Sequence, residues 1–216
     1  EHRAARIEAE RIVAARVEWP GRLVAGWVIE ATLASRTAGS MRGTAMADNG
    51  EDILVDRLPR DAREGAPIRL LVTRGALDGP GRFKRAQARP SDAPLAQPSL
   101  AERLKAQVVR RFVTDEWDGL IDEALAGETG FAGGTLLFAP TPAMTTVDID
   151  GTLPPRALAL AAIPVLATAF RRLGLAGSIA VDFPTLTEKV DRRAVDEALG
   201  EALADWPHER TAMNGF

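Results

Sequence analysis

The 216-residue chain contains no cysteine and no tyrosine, and only two histidines, His2 and His208. Without cysteine it can form no disulfide, no thiolate nucleophile and no cysteine-based zinc site. Two histidines leave nothing from which to build a multi-histidine metal centre, and too little for a specific serine–histidine triad. Any bound metal must then be held through oxygen, which selects Mg²⁺ or Mn²⁺ on carboxylates. Long apolar runs are missing as well. The uncharged run 157–170 contains Pro164 and is too short for a membrane span. No stretch reads as a secretory leader, so a cytoplasmic protein with no membrane partner is expected. The chain opens on Glu1 rather than Met, which reads as a trimmed sequence.

What is present is a division of charge. Residues 1–111 carry 20 Lys and Arg against 14 Asp and Glu, while residues 112–216 carry 7 against 16. A basic half beside an acidic half suits a polyanionic ligand delivered to a metal-binding site. Ordinary surface charge produces the same counts.

Residues 2–18 alternate in polarity and read as a hairpin. Between residues 23 and 89 lie five or so short alternating runs. Turn signals separate them at "DNG" (48–50), "EGAP" (64–67) and "DGPG" (78–81). That spacing predicts a small β-barrel, possibly of the OB kind. The segment "RPSDAPLAQP" (89–98) reads as a linker. Ser99 and Glu102 then form a capping box in front of "LAERLKAQVVRRF", which predicts a helix. A second helix around "EWDGLIDEALAG" has Thr114 as a candidate cap and Gly127 as its stop.

The last third has an α/β rhythm. "GGTLLFAPTPAMTTVDID" predicts two strands joined by a turn at 140–142. A buried helix follows from about Pro155 to Leu173, kinked at Pro164. "GSIAVDF" is a short apolar strand ending in Asp182. Residues 190–205 form an amphipathic helix with Val190, Ala194, Val195, Ala198, Leu199, Ala202 and Leu203 on one face. Trp19, Trp27, Trp117 and Trp206 are expected to pack in cores or interfaces rather than serve as base platforms.

Asp148, Asp150 and Asp182 share one placement, at or near the C-terminal end of an apolar strand with a helix after it. In α/β sheets that edge is where ligands bind. Strand alternation puts Asp148 and Asp150 on one face. If the two strands are neighbours, all three carboxylates converge and can hold a divalent ion through oxygen. The competing reading is two solvated strand-end acids and a helix cap. A further alternative is raised by "VDIDGTL", which matches the first motif of haloacid-dehalogenase-like phosphatases, with a nucleophilic first Asp and an acid second Asp. That fold needs a later acidic pair after a strand, and the 66 residues beyond Asp150 offer only Asp182 in such a place.

The stretches "GGTLLFAPTPAMTTVDIDG", "LAGSIAVDFPTLTEKVDRRAVDEAL" and "ERTAMNGF" resemble the catalytic end of the ribonuclease E/G family. The resemblance implies RNase H-like and DNase I-like catalytic parts with an inserted small OB-type barrel, in a mixed α+β and α/β fold. It divides the chain into opening strands (1–20), an RNA-binding barrel (21–90), a linker with helices (91–130) and a catalytic part (131–216). Asp148 and Asp182 match the family's magnesium-binding acids. Asp150 stands where the family usually has Asn, where it would orient the pair or join the coordination. "EGAPIRLLVTRGALDGPGRFKRAQAR" (64–89) echoes the barrel's later strands more weakly. Met46 occupies a place where the family often shows an aromatic, so RNA gripping should rely more on charge. Arg82, Lys84 and Arg85 are candidate phosphate contacts, or else a solvated hairpin face. Lys189 and Arg210 are further candidates, Lys189 being equally readable as a solvated turn residue. The family's zinc-linking cysteines and most of its 5′-sensor region are missing. The implied protein is a minimal Mg²⁺- or Mn²⁺-dependent endoribonuclease for single-stranded RNA, a monomer or homodimer but no zinc-linked tetramer. Its alternative is an RNA-binding protein of the same fold that does not cleave.

Overall fold

The computed structural model describes residues 1–79 and 82–211, with no side-chain description for Asp78, Gly79 and Arg82. The chain is mixed α+β and divides into two compact units. The first comprises residues 1–4 and 17–109; the second comprises 5–16 and 110–216. Both units are discontinuous in sequence: residues 17–109 of the first lie between the two pieces of the second, and residues 1–4 precede them. The charge asymmetry follows this division in a milder form. The first unit carries 15 basic and 12 acidic side chains, the second 12 and 18.

Strands β1 (His2–Glu8) and β2 (Arg11–Glu18) form the expected hairpin. Its two-residue turn puts Ala9 at φ 46° and Glu10 at φ 65°. Such a turn matches the twist of the flanking strands, although neither residue has glycine's freedom there. The hairpin is shared between the two units.

In the first unit, β3 (Val28–Arg36), β4 (Gly43–Ala47), β5 (Asp52–Val55), β6 (Pro67–Arg74) and β9 (Ala86–Pro90) close into a barrel. The strand order is β3-β4-β5-β9-β6, with β5 and β9 parallel and every other pair antiparallel. Closure removes the exposed edges that five short strands would otherwise present. Period-two alternation points Leu33, Ile53, Val55, Leu70 and Val72 inward, where they are almost fully buried. Gly43 is required by space. A Cβ there would stand 2.3 Å from the Ser35 carbonyl oxygen, beside the irregular register between Leu33 and Ser35. A small hairpin, β7 (Leu77–Gly79) with β8 (Arg82–Lys84), leaves the barrel between β6 and β9.

The stretch read as a linker is instead attached to the barrel. Val28 and Ala96 exchange backbone hydrogen bonds of 2.8 and 3.0 Å, and Trp27 Nε1 donates to the Pro98 carbonyl at 3.1 Å. The prolines keep the segment extended, and an extended segment can bond to a strand. The helix after it is much shorter than expected. α1 spans only Leu100–Leu104 and stops at Lys105, whose φ is 51°. Val108, Val109 and Val113 disfavour continuation, because β-branched side chains lose rotamer freedom in a helix. All three are exposed, so no burial offsets that loss.

The capping box itself forms. Ser99 Oγ accepts from the Glu102 N–H at 3.3 Å, and Glu102 Oε2 accepts from the Ser99 N–H at 2.7 Å. The bond from the Ser99 backbone, then that from its hydroxyl, holds the Glu102 carboxyl below its ordinary value. The anion is thus favoured in the folded state. Its contribution is complete above the ordinary glutamate range and fades as pH falls through the lowered value. Ser99→Ala is expected to return the Glu102 titration toward the ordinary range, and side-chain NMR titration checks it.

In the second unit, α2 (Glu116–Ala126) packs Trp117 and Leu120 on Ile12. Glu116 Oε2 accepts from the Ile12 N–H at 2.7 Å. Asp115 rather than Thr114 is the capping residue, although Thr114 Oγ1 accepts weakly from the Glu116 N–H at 3.3 Å. Gly127 ends the helix at φ 68°, as expected. A four-stranded sheet follows, built from β10 (Glu128–Phe131), β11 (Gly134–Pro140), β12 (Thr145–Gly151) and β13 (Ile179–Asp182) in that order. The first three are antiparallel. β12 and β13 are parallel, joined through α3 (Pro155–Arg172). α4 (Lys189–Ala202) follows β13.

α3 buries Leu158, Ala159, Ala162, Ile163, Leu166, Ala167 and Phe170, and runs unbroken through Pro164, which lies on its exposed side. α4 buries Val195 and half-buries Ala198 and Leu199, but Val190, read as part of the apolar face, is exposed in its first turn. Among the described residues, no helix is long and apolar enough to cross a membrane.

Candidate active site

β12 alternates strictly. Val147 and Ile149 are buried against the helices, so Asp148 and Asp150 between and beyond them are exposed on the opposite face. In the parallel pairing with β13, Asp148 is the register partner of Asp182, which is also exposed. Adjacent strands lie about 4.8 Å apart, so these two carboxylates start from neighbouring backbone positions on one face. Asp150 lies one pleat further along, roughly 6.6 Å by strand rise, beyond the last paired residue of β13. The three acids therefore share one sheet face and one end of it. α3 and α4 also begin at that end, three and six residues after their strands stop. Their N-termini bring partial positive charge to the edge that carries the acids.

The local geometry is tight behind the acids. A Cβ on Gly151 would fall 2.3 Å from the Gly133 carbonyl oxygen, and one on Gly134 would fall 2.5 Å from the Asp150 carbonyl oxygen. The glycines of "GGT" and "DIDG" thus let β11 and β12 approach at the level of Asp150. Asp148 Oδ1 accepts from the Ile149 N–H at 2.9 Å, so its carboxylate is turned along its own strand. Among the described residues, no group of three or more acids or histidines is arranged to hold a metal ion. The expected convergence is therefore a neighbouring pair, Asp148 with Asp182, and a third acid at a distance. The donor set is all carboxylate, which fits a hard divalent ion that draws most of its ligands from water and phosphate.

The cations proposed from sequence lie in several places. Arg210 is ion-paired with Asp196 and also donates to the Asp196 backbone carbonyl at 3.1 Å, so α4 holds it. Lys189 is exposed at the start of α4. Arg192, not singled out from sequence, donates to the carbonyls of Leu186 and Thr187 at 2.7 and 2.8 Å and fixes the loop after Asp182. Arg156 pairs with Asp191 at 3.3 Å, joining the first turns of the two helices. The closing motif "ERTAMNGF" falls partly beyond the described residues.

On the barrel, Arg85 lies 3.8 Å from Asp52 in an exposed ion pair, and Lys84 is half-buried. The Arg82 side chain lies outside the described residues. Met46 and Leu54 point outward from β4 and β5, at 42% and 40% exposure. Trp117 is buried, Trp27 is packed on the barrel core and Trp206 lies 5.8 Å from the Arg171 guanidinium. Trp19 lies outside the cores, with 63% of its surface exposed. Phe83 was not singled out and is more exposed still, at 70%. The available signal was its position between cations in "RFKR". No family model matches the chain, and no curated protein matches it.

Proposed function

We propose that this chain is a metal-dependent endoribonuclease that cuts single-stranded RNA in the cytoplasm. The observation that carries the reading is the parallel register of Asp148 and Asp182 on an open sheet face at a strand–helix edge. Such an edge is where α/β sheets bind ligands. A carboxylate pair without histidine or cysteine suits magnesium or manganese. A divalent ion held there would supply Lewis-acid charge at a phosphodiester and lower the pKa of attacking water. Asp148 and Asp182 would bind it, and Asp150 would orient water or phosphate from one pleat away.

The barrel supports the substrate class. Its order, with a parallel pair between the third and fifth strands, is that of the OB-type barrels that bind oligonucleotides. Its insertion between two pieces of the second unit matches what the resemblance to ribonuclease E/G implies. The RNase H-like and DNase I-like descriptions of the second unit belong to the same proposal.

The test is cleavage of an unstructured, end-labelled RNA with Mg²⁺ or Mn²⁺ and with EDTA. Metal-dependent internal cuts are expected. Direct attack by water predicts ends that carry no 2′,3′-cyclic phosphate. Binding without cutting in either metal would leave the non-cleaving RNA-binding protein. Turnover of a small phosphate monoester instead would favour the phosphatase chemistry suggested by "VDIDGTL".

A further inference from the structure

We propose that Phe83, on the β7–β8 hairpin, is a base-stacking platform for single-stranded RNA, with Arg85 beside it as the phosphate contact. The inference rests on the RNA-binding reading of the barrel and adds to it the residue that grips a base. The outer face of β4 and β5 presents Met46 and Leu54, which are apolar but carry no ring. Phe83 lies two residues before Arg85, whose guanidinium pairs with Asp52 on β5, and its ring is largely open to solvent. The open phenyl ring is a flat apolar face that a stacked base would cover.

The hairpin is anchored rather than loose at its base. The Arg74 guanidinium donates to the Arg85 carbonyl at 2.8 Å, and Thr73 Oγ1 donates to the Gln87 carbonyl at 3.0 Å. Gly75 passes close to the Leu23 backbone, where a Cβ would fall 2.7 Å from its carbonyl oxygen. A platform held this way loses little freedom on binding.

Charge fixes the partner. Arg85 reaches over the outer face to Asp52, the register partner of Met46. At 3.8 Å, with both side chains nearly half exposed, that ion pair is weak and a phosphate can replace Asp52. An exposed ring two residues from an exchangeable guanidinium offers the stacking and charge by which single-stranded nucleic acid is held without sequence preference.

The experiment is binding of a labelled ten-nucleotide oligouridine to the full chain in EDTA, read by fluorescence anisotropy across a salt series. Phe83→Ala is expected to weaken binding roughly 5- to 150-fold. Phe83→Trp should keep it, and Phe83→Leu should lose most of it despite similar apolar area. Arg85→Gln should lower the slope of log affinity against log salt by about 0.7. Phe83→Ala binding within twofold of wild type, while wild type binds well, overturns this inference alone. An unchanged slope in Arg85→Gln overturns the phosphate assignment. Failure of the wild type to bind the RNA overturns the RNA reading and this inference with it.

Discussion

Asp182→Asn is expected to leave the protein folded and to reduce metal-dependent RNA cleavage by on the order of 10²–10³-fold. The substitution keeps the size and shape of the side chain and removes one of two neighbouring charges. Asp182 is exposed at the end of β13 and is the register partner of Asp148, so no core contact is lost. Stability should move by no more than about 0.5 kcal/mol. The direction should be upward if anything, because the change relieves repulsion between like charges on adjacent strands. Asp148→Asn should behave alike. The double variant should be little worse than either single one, since the two act as a unit.

Thermal melting gives a readout independent of turnover. Magnesium at ten times its dissociation constant should stabilise the wild type by ~1.4 kcal/mol, and the Asp182→Asn protein hardly at all. Binding of RNA through the barrel in EDTA should be unchanged in the variant. A variant that cuts RNA at the wild-type rate, or melts higher with magnesium to the same extent, would remove the proposed metal pair.

Much of the fold could be read from residue order because its signals are local. Alternation in 2–18 and turn residues such as "DNG" mark strands and their ends wherever they finally pack. The capping box at Ser99 was legible for the same reason. The length of the helix behind it was not. Nothing local says that the valines after Lys105 stay exposed, and without burial the helix stops after five residues. The attachment of 89–98 was also hidden, since it depends on a bond between Val28 and Ala96, 68 positions apart. At the site, strand ends and alternation put Asp148, Asp150 and Asp182 on candidate edges. The register that makes Asp148 and Asp182 neighbours is a long-range fact that β12 and β13 acquire only by pairing. The ion pair of Arg210 with Asp196, 14 positions earlier on α4, was hidden for a similar reason. Phe83 was overlooked because a single phenylalanine in a short alternating run reads as core. Its exposure is set by how the β7–β8 hairpin packs, which no local pattern records.

Leu136→Ala is expected to destabilise the second unit by about 2–5 kcal/mol, because it opens a cavity where no rearrangement is cheap. Leu136 is fully buried on β11 and is the register partner of Ile149, the residue between the two acids of β12. Val147, Leu158, Leu166 and Phe170 share its cluster. The tight Gly134–Asp150 and Gly151–Gly133 approaches keep β11 and β12 from sliding together to fill the gap. The loss should be local. Hydrogen exchange should quicken in β11, β12 and α3, while the barrel strands keep their protection, because they bury a separate cluster around Leu33, Ile53 and Leu70. Leu33→Ala should give the reverse pattern. The consequence for function follows from the strand itself. Asp148 and Asp150 owe their position to Val147 and Ile149 being held on the other face. Loosening that face should therefore lower cleavage further than the unfolded fraction accounts for, while binding of RNA by the barrel persists. A stability loss below 1 kcal/mol, or exchange that quickens equally in both units, would show that this core does not set the register of the acids.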